Sequence, residues 1–344
     1  MKKIRRGGTA PGRLPAVALG AVCGAVLASV PAAAAPGGHG SISSPVLYVA
    51  QQTGPLLVVD TREKAVTRAI PVGSGTDGVA VDEFRHRVYA ANNTDNTVSV
   101  IDNVVNRVVA TVPVGEGPNT VAVDSRHHSV YVSNFRSNNV SVINSLNNRV
   151  SATIPVEAMP TSVAIDPHLH RHEAFVTNQG TGRVSVIDTR TKTVTRTIPV
   201  GARPNAVAVD PAPLHHTAYV ANGGSASVSV IDTDTDTVST TIPVGGAPTS
   251  VAFDGLRHKA YVTSVATNSV SVIDTDTKAV TATVRVGSGP LSVAVDPLNA
   301  KAYVANKNSN DVSVIDTRTD TVEPATIPAS AQPVTVALSY GGRL

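Results

Sequence analysis

Residues 217–254 read TAYVANGGSASVSVIDTDTDTVSTTIPVGGAPTSVAFD, and this stretch decides the fold. It holds four runs rich in Val, Ile, Thr and Tyr, and clusters of Asn, Asp, Gly or Pro separate one run from the next. β-Branched and aromatic runs bounded by turn residues are typical of β-strands. None of these runs is long enough for an amphipathic helix free of helix breakers. The stretch therefore predicts four consecutive strands.

The same pattern recurs seven times along the chain, with steps of 41 to 44 residues. An aromatic residue marks the first strand of each copy: Tyr48, Tyr89, Tyr131, Phe175, Tyr219, Tyr261 and Tyr303. An alanine marks the centre of the last strand: Ala80, Ala122, Ala164, Ala208, Ala252, Ala294 and Ala337. Four short strands in about 42 residues is the size of a propeller blade, whereas the rungs of a β-helix are shorter. We therefore predict an all-β fold, a seven-bladed β-propeller with four antiparallel strands per blade.

The two ends of the repeat region complement each other. The first copy begins at Val46 and lacks the alanine-centred strand, and the chain finishes with one extra copy of that strand at 334–338. We predict 28 strands, among which the C-terminal strand becomes the innermost strand of the first blade. That arrangement closes the ring without leaving open strand edges. We expect the aromatic residues to pack between blades.

The N-terminal segment has the order of a secretory signal peptide. Basic residues occupy four of the positions 2–6, an apolar stretch runs from about 14 to 30, and four alanines fill 32–35. A charged start, an apolar core and a small-residue cleavage site are the marks of export. The apolar stretch is shorter than the roughly 20 residues that a membrane-spanning helix needs.

These features divide the chain into three parts. We predict a signal peptide over 1–35, a flexible linker over 36–45 and the propeller over 46–344. The mature protein is then secreted or associated with the cell envelope, without a transmembrane anchor. The export route stays open, because Arg5-Arg6 lacks the surrounding residues of a clear twin-arginine signal.

The net charge of the chain changes when the leader is set aside. The first 35 residues hold five of the 28 basic residues and none of the 25 acidic residues, which leaves 23 basic against 25 acidic residues and a net charge of −2. A basic footprint is the usual requirement for nucleic-acid binding. We therefore expect no nucleic-acid partner. The single cysteine, Cys23, lies in the leader, so the mature chain has no disulfide.

The repeated motifs resemble a known family. Phe175-Val176-Thr177-Asn178, Tyr219-Val220-Ala221-Asn222 and the segment Thr241-Ile242-Pro243-Val244-Gly245 are similar to the YVTN-repeat (YncE-like) exported β-propellers and their surface-layer relatives. The resemblance covers nearly all of 46–340 and implies a seven-bladed propeller outside the cytoplasm. It carries no catalytic residues, because the motif residues of that family are structural. Two copies, at 48–51 and 261–264, lack the asparagine.

A ligand site is expected at one mouth of the central channel, by analogy with other propellers. The loops that join each outermost strand to the next innermost strand end in a proline, or in Thr76 in blade 2, and the residues that follow run round the ring as Asp77, Asn119, Thr161, Asn205, Thr249, Leu291 and Val334. The polar members of this ring, Asp77, Asn119, Thr161, Asn205 and Thr249, together with the loop residue Arg203, are the candidate ligand-binding residues. The alternative is that these side chains only satisfy turn backbone groups.

Histidines form a second repeated feature. Five of them precede the repeat aromatic by three residues: His86, His128, His172, His216 and His258. We place their hairpins on the face opposite the candidate ligand site. Imidazole is a common metal ligand, so His168, His170 and His172, in one loop, are the candidate metal ligands. We expect the blade spacing to hold histidines of neighbouring blades too far apart to share an ion. The alternative is a polar hairpin position repeated by duplication.

Acidic residues alternate with threonines at 232–237, which is the composition of a calcium loop. The stretch lacks the glycine and the distal glutamate of the twelve-residue calcium site. Asp and Thr in a hairpin more simply cap backbone amides, and we favour that interpretation.

The pattern as a whole favours a binding protein over an enzyme. Seven near-uniform blades with short loops offer no convergent catalytic groups, so we predict a non-catalytic exported scaffold that recognises a protein, a peptide or a cell-surface glycan. We predict no cofactor and a monomer. The alternatives are an enzyme, such as a propeller lactonase or lyase with its site at a channel mouth, and a structural protein of the cell envelope.

Overall fold

The computed structural model describes residues 45–168 and 170–342. The predicted signal peptide and almost all of the predicted linker lie outside these residues. The described chain forms seven antiparallel sheets arranged as the blades of a propeller, which confirms the predicted fold. Within these ranges no helix has the length and apolar character needed to cross a membrane.

Blades 1 to 4 are formed by the first fifteen strands, with the innermost strand of blade 1 supplied from the C-terminus. These strands are β1 (Val46–Gln51), β2 (Leu56–Asp60), β3 (Ala65–Ile70), β4 (Thr76–Asp82), β5 (Arg87–Asn92), β6 (Thr97–Asp102), β7 (Arg107–Pro113), β8 (Pro118–Asp124), β9 (Ser129–Asn134), β10 (Asn139–Asn144), β11 (Arg149–Pro155), β12 (Pro160–Ile165), β13 (Glu173–Asn178), β14 (Arg183–Asp188) and β15 (Thr193–Pro199).

Blades 5 to 7 and the closing strand follow in the same order, from the innermost strand outward. These strands are β16 (Pro204–Val209), β17 (Thr217–Asn222), β18 (Ser227–Asp232), β19 (Thr237–Pro243), β20 (Pro248–Asp254), β21 (Lys259–Ser264), β22 (Ser269–Asp274), β23 (Val280–Arg285), β24 (Pro290–Asp296), β25 (Lys301–Asn306), β26 (Asp311–Asp316), β27 (Thr321–Val322), β28 (Ile327–Pro328) and β29 (Pro333–Ser339).

The C-terminal strand closes the ring as predicted. β29 pairs antiparallel with β1 and becomes the innermost strand of blade 1, with Tyr48 opposite Ala337. The described strands number 29 rather than 28, because the outermost strand of blade 7 is divided into β27 and β28, both of which pair with β26. Pro324 lies between the two pieces, and proline has no amide hydrogen to give to the ladder.

The alanine and the aromatic of each repeat face each other across two adjacent strands. Ala208 on β16 lies opposite Tyr219 on β17, and both are buried. Since directly opposed side chains lie close together, a small residue leaves room for the ring. Tyr219 contacts Phe253 of blade 6 edge to face, with ring centroids 5.1 Å apart, and both residues belong to one core cluster. The aromatics therefore pack between blades, as predicted.

The asparagine that ends the motif joins the second and third strands of its own blade. In five blades its side-chain amide lies 2.8 or 2.9 Å from a serine hydroxyl on the next strand: Asn92 and Ser99, Asn134 and Ser141, Asn178 and Ser185, Asn222 and Ser229, Asn306 and Ser313. The glycine of the Pro-Val-Gly segment passes over this amide. A Cβ on Gly201 would lie 2.6 Å from the Asn222 side chain, so a larger residue here would force the buried asparagine to shift.

We expect Gly201→Ala to destabilise the protein by about 1 to 3 kcal/mol, because the added methyl overpacks against a buried hydrogen-bonded amide. Gly246→Ala, in the equivalent loop of the next blade, is the matched control. A Cβ there meets only the Ala266 methyl, at 3.3 Å, so its effect should stay within about 0.5 kcal/mol. Urea unfolding followed by circular dichroism measures both. Equal effects of the two substitutions would contradict this role of Gly201.

Deleting 333–344 removes β29 and exposes the inner edge of β1. We expect the shortened chain to lose its single cooperative unfolding transition, because blades 1, 2 and 7 then lack a buried face. A chain that ends at Gly342 keeps β29 and is the control. Thermal melts followed by circular dichroism decide the matter: an unchanged melting temperature in the shorter chain would show that closure does not hold the ring together.

Candidate functional site

Two sets of loops meet at one face of the propeller, which we call the mouth. Each loop between a second and a third strand bonds the loop that enters its own blade: Gly223 N–H donates to the Arg203 carbonyl at 3.0 Å, and Gly224 N–H to the Ala202 carbonyl at 2.9 Å. The histidine hairpins lie on the opposite face together with the Asp-Thr turns, where Thr233 N–H donates to the His216 carbonyl at 2.9 Å. The predicted placement of the two faces is therefore correct.

Three of the predicted mouth residues tie neighbouring blades together. Their side chains donate to the carbonyl of the proline in the following blade: Thr161 to Pro204 at 3.0 Å, Asn205 to Pro248 at 2.8 Å, and Thr249 to Pro290 at 3.2 Å. Thr161, Asn205 and Thr249 are buried, and Asn119, at the same position of blade 3, is fully buried. Arg203 is exposed. Thr161, Asn205 and Thr249 therefore have a structural function, because each joins its blade to the next.

Asp77 differs from the other members of the ring because it is a carboxylic acid with only 9% of its surface exposed. Burial raises its pKa to about 7, against the opposing effect of the positive charges of Lys307 and Arg136. A buried carboxyl group at a channel mouth whose pKa is raised by burial and opposed by nearby positive charges is a candidate functional group. Asp77 is therefore the centre of the candidate site.

A second ring of side chains, from the loops between second and third strands, completes the mouth. Arg136 donates to Asn93 Oδ1 at 3.1 Å, and Gln179 donates to Asn205 Oδ1 at 2.8 Å. Our sequence analysis missed these residues and Lys307. For Gln179 and Lys307 the information was present, because the residue after the motif varies from blade to blade: Gln52, Asn93, Phe135, Gln179, Gly223, Val265 and Lys307. Arg136 is one position further on.

The remaining side of the mouth is apolar. Leu291 and Val334, at the ring positions of blades 7 and 1, are each 3% exposed and belong to one core cluster with Val79. Val265 packs against the same cluster. Since Asp77 follows Val334 round the ring, the apolar arc lies on one side of its carboxyl group, and this is consistent with desolvation as the largest cause of its pKa shift.

Histidines of neighbouring blades meet on the opposite face, so the expected separation is wrong. Ring centroids are 5.1 Å apart for His127 and His172, 5.2 Å for His168 and His216, and 5.3 Å for His215 and His258. The hairpins leave the innermost strands, where blades are closest together, and a histidine from one blade reaches the hairpin of the next. The regular spacing of the repeats in the sequence does not show that hairpins of neighbouring blades converge in this way.

The three predicted metal ligands border one cavity of about 760 Å³. His168 and His172 nevertheless point to different blade boundaries. His168 Nδ1 lies 2.7 Å from Asp166 Oδ1 and its ring contacts His216 of blade 5, whereas the ring of His172 contacts His127 of blade 3. A metal site at His168, His170 and His172 stays a prediction. Among the described residues, only His215, His258 and Asp276 bring three metal-ligand atoms within 4.8 Å of one another.

The Asp-Thr stretch forms a turn. Asp232 Oδ1 accepts hydrogen bonds from the amides of Asp234 and Thr235, each at 2.9 Å, and the equivalent residue of blade 4, Asp188, does the same. A carboxylate that caps two backbone amides is explained by the turn alone. This confirms the turn interpretation of 232–237.

We expect Asp77→Asn to stabilise the protein at neutral pH and to have little effect at pH 4. The folded pKa of about 7 lies above the unfolded value of 3.8, so the folded state binds the extra proton and the wild type loses stability as the pH rises from about 4 to 7. The asparagine removes this loss, of about 1 to 4 kcal/mol. Urea unfolding at several pH values measures it. Glu116→Gln, an exposed residue of a neighbouring mouth loop, is the control, and a stability difference for Asp77→Asn that does not vary with pH would contradict the shift.

Comparison with known proteins places the chain among propellers. Residues 48–340 match the cytochrome D1 heme domain family. No curated protein matches the sequence. Among solved structures, hydrazine synthase of Kuenenia stuttgartiensis has a TM-score of 0.70 and 21% identity, over 80% of this chain and 93% of that chain. A functionally unknown protein from Desulfotomaculum acetoxidans has a TM-score of 0.75 and 16% identity, over 86% and 99%.

A third similar structure is that of the dihydro-heme d1 dehydrogenase NirN in complex with DHE, with a TM-score of 0.64 and 16% identity, over 88% of this chain and 67% of that chain. At these identities the likeness to solved structures shows the fold alone. The finer assignment to the YVTN-repeat (YncE-like) propellers stays a prediction.

Proposed function

The chain belongs to the cytochrome D1 heme domain family, and within that family we propose that it is an exported, non-catalytic binding propeller that holds the end of a peptide at its mouth. The observation that carries the proposal is the buried carboxyl group of Asp77, on whose pKa the positive charges of Arg136 and Lys307 act. The two cations suit a peptide carboxylate, and the Asp77 carboxyl group suits a peptide N–H.

The composition of the mouth favours binding over catalysis. All nine described histidines lie in the hairpins of the opposite face, so the described mouth loops offer no imidazole to act as a general base. A catalytic carboxyl group needs a nucleophile or a metal within reach, and the charged groups that act on the pKa of Asp77 are Lys307 and Arg136. These facts support a binding function over the lactonase or lyase alternative.

Heme is the ligand that the family name implies, and the donor atoms at the mouth do not fit it. Heme iron in proteins is held by histidine, cysteine, methionine or tyrosine. In the described mouth loops the only such residue is Met159, and the tyrosines lie in the second strands of the blades or in the C-terminal tail. Arg136 and Lys307 could pair with heme carboxylates, but the described mouth gives the iron no imidazole or thiolate.

The test uses short synthetic peptides of mixed sequence, with either a free or an amidated C-terminus, and measures binding by calorimetry. We expect the free-acid peptides to bind and the amidated peptides to bind at least about tenfold more weakly, because the amides lack the carboxylate that pairs with Arg136 and Lys307. Arg136→Gln and Lys307→Met should each weaken binding by a similar factor. Arg318→Gln, a charge-matched change on the opposite face, is the control.

Two results would overturn the proposal. One is that no peptide binds to the wild-type protein. The other is that heme binds instead, seen as a shifted Soret band on titration with hemin that the mouth variants abolish. In the same calorimetry, heat that continues to be released while the peptide is consumed would show that the protein is an enzyme rather than a binding protein.

A further inference from the structure

We propose that His215, His258 and Asp276 bind a divalent transition-metal ion, of which zinc is the one to test. The three residues lie at the boundary between blades 5 and 6, on the face opposite the mouth, so this site does not depend on the proposed peptide binding. Nothing in the fold requires three such side chains to converge there, because the equivalent boundaries of other blades hold different sets.

The donor atoms are already close to the spacing that a metal needs. His215 Nε2 lies 2.9 Å from Asp276 Oδ1, and His258 Nδ1 lies 3.1 Å from the same oxygen. Zinc bonds imidazole nitrogen and carboxylate oxygen at about 2.0 to 2.2 Å in a tetrahedron, which puts its ligand atoms about 3.3 Å apart. The two nitrogen–oxygen distances would have to lengthen by only a few tenths of an ångström, and the two imidazole nitrogens already lie within 4.8 Å of each other, so the ion could take the place of the bridging hydrogen bonds.

A buried carboxylate holds the central imidazole in the orientation that ligation requires. His215 Nδ1 lies 2.9 Å from Asp210 Oδ2, and the Asp210 side chain is only 1% exposed. This contact points the other ring nitrogen, Nε2, at Asp276. Metal-binding histidines usually give their second nitrogen to a carboxylate or carbonyl in this way, which fixes the ring and raises its basicity.

The surroundings leave room for the ion and for a water ligand. His215 and Asp276 border a solvent-open cavity of about 590 Å³. Lys278, the cation among the described residues that line this cavity, donates to the Thr275 carbonyl and lies over the Tyr219 ring at 5.5 Å. Two imidazoles and one carboxylate occupy three positions of a tetrahedron, and the fourth falls to water. Zinc, which prefers nitrogen ligands together with a hard oxygen, suits this set.

The neighbouring boundaries show what is special about this one. Between blades 4 and 5, His168 Nε2 faces the Ala212 carbonyl at 3.2 Å, so it does not join His216 and Asp234 as a third donor. Between blades 3 and 4, the position equivalent to Asp276 is Arg190, which cannot bind a metal.

The experiment is equilibrium dialysis of the tag-free protein against zinc chloride, with the bound metal measured by mass spectrometry. We expect one zinc ion per chain, and a loss of affinity of at least tenfold in His258→Gln and in Asp276→Asn. Asp210→Asn should weaken binding by about 10- to 100-fold through the orientation of His215. His216→Gln and Asp234→Asn are matched controls at the adjacent boundary and should stay within twofold of the wild type.

Cobalt substitution gives a second readout that does not depend on affinity. We expect the intense visible absorption of tetrahedral Co²⁺ in the wild-type protein and its loss in Asp276→Asn, while thermal melts show that each variant keeps its fold. The proposal is overturned if the wild type binds zinc no better than the His258→Gln variant, or if His216→Gln loses as much affinity as His258→Gln.

Discussion

Every blade of this propeller buries both faces against its neighbours, and the structure therefore depends on the closure of the ring. The pairing of β1 with β29 makes that closure, and other contacts hold the joined end in place. Glu83 of blade 2 accepts hydrogen bonds from the amides of Tyr340 and Gly341, directly after β29. On the other side of blade 1, at the outer rim, Lys64 Nζ lies 2.6 Å from Glu323 Oε2 of blade 7, next to the divided outermost strand. Closure is thus supported both near the axis and at the rim.

The repeated motif residues are fully used in building the blades. In five blades the motif asparagine and a serine bond each other, in four of these blades a glycine passes close to the asparagine, and the alanine of each repeat leaves space for the aromatic ring. Binding must therefore be carried by the positions that differ between blades. Those positions lie in the loops of the two faces, where Asp77, Lys307 and Asp276 each have no counterpart of the same charge in most of the other blades.

The period of the sequence was enough to predict the fold, the number of blades and the way in which the ring closes, because each blade is built from local strand pairs. The candidate sites were harder to predict. The side chains that meet at the mouth or between hairpins come from different blades, and the step of 41 to 44 residues says nothing about how close two hairpins come. His215 and His258 illustrate this, since the approach of their rings follows from the convergence of the blades toward the axis. The buried environment of Asp77 depends in the same way on Leu291 and Val334, which belong to other repeats.

The seven ring positions at the mouth show why Asp77 is hard to explain by structure alone. The other six hold Asn, Thr, Leu or Val, so the fold accepts neutral polar and apolar side chains there, and the blade-to-blade bonds at Thr161 and Asn205 need no charge. An ionised carboxylate at such a position is stabilised only in part by Arg136 and Lys307, because desolvation remains the largest influence on its pKa. A scaffold that retains a destabilising group where neutral residues would serve is expected to do so at a functional site.

The same reasoning does not apply to Asp276, whose side chain is 56% exposed and loses little hydration. The two candidate sites therefore differ physically. The site at the mouth contains a desolvated carboxyl group, whereas the site on the opposite face contains converging imidazoles that are in contact with water.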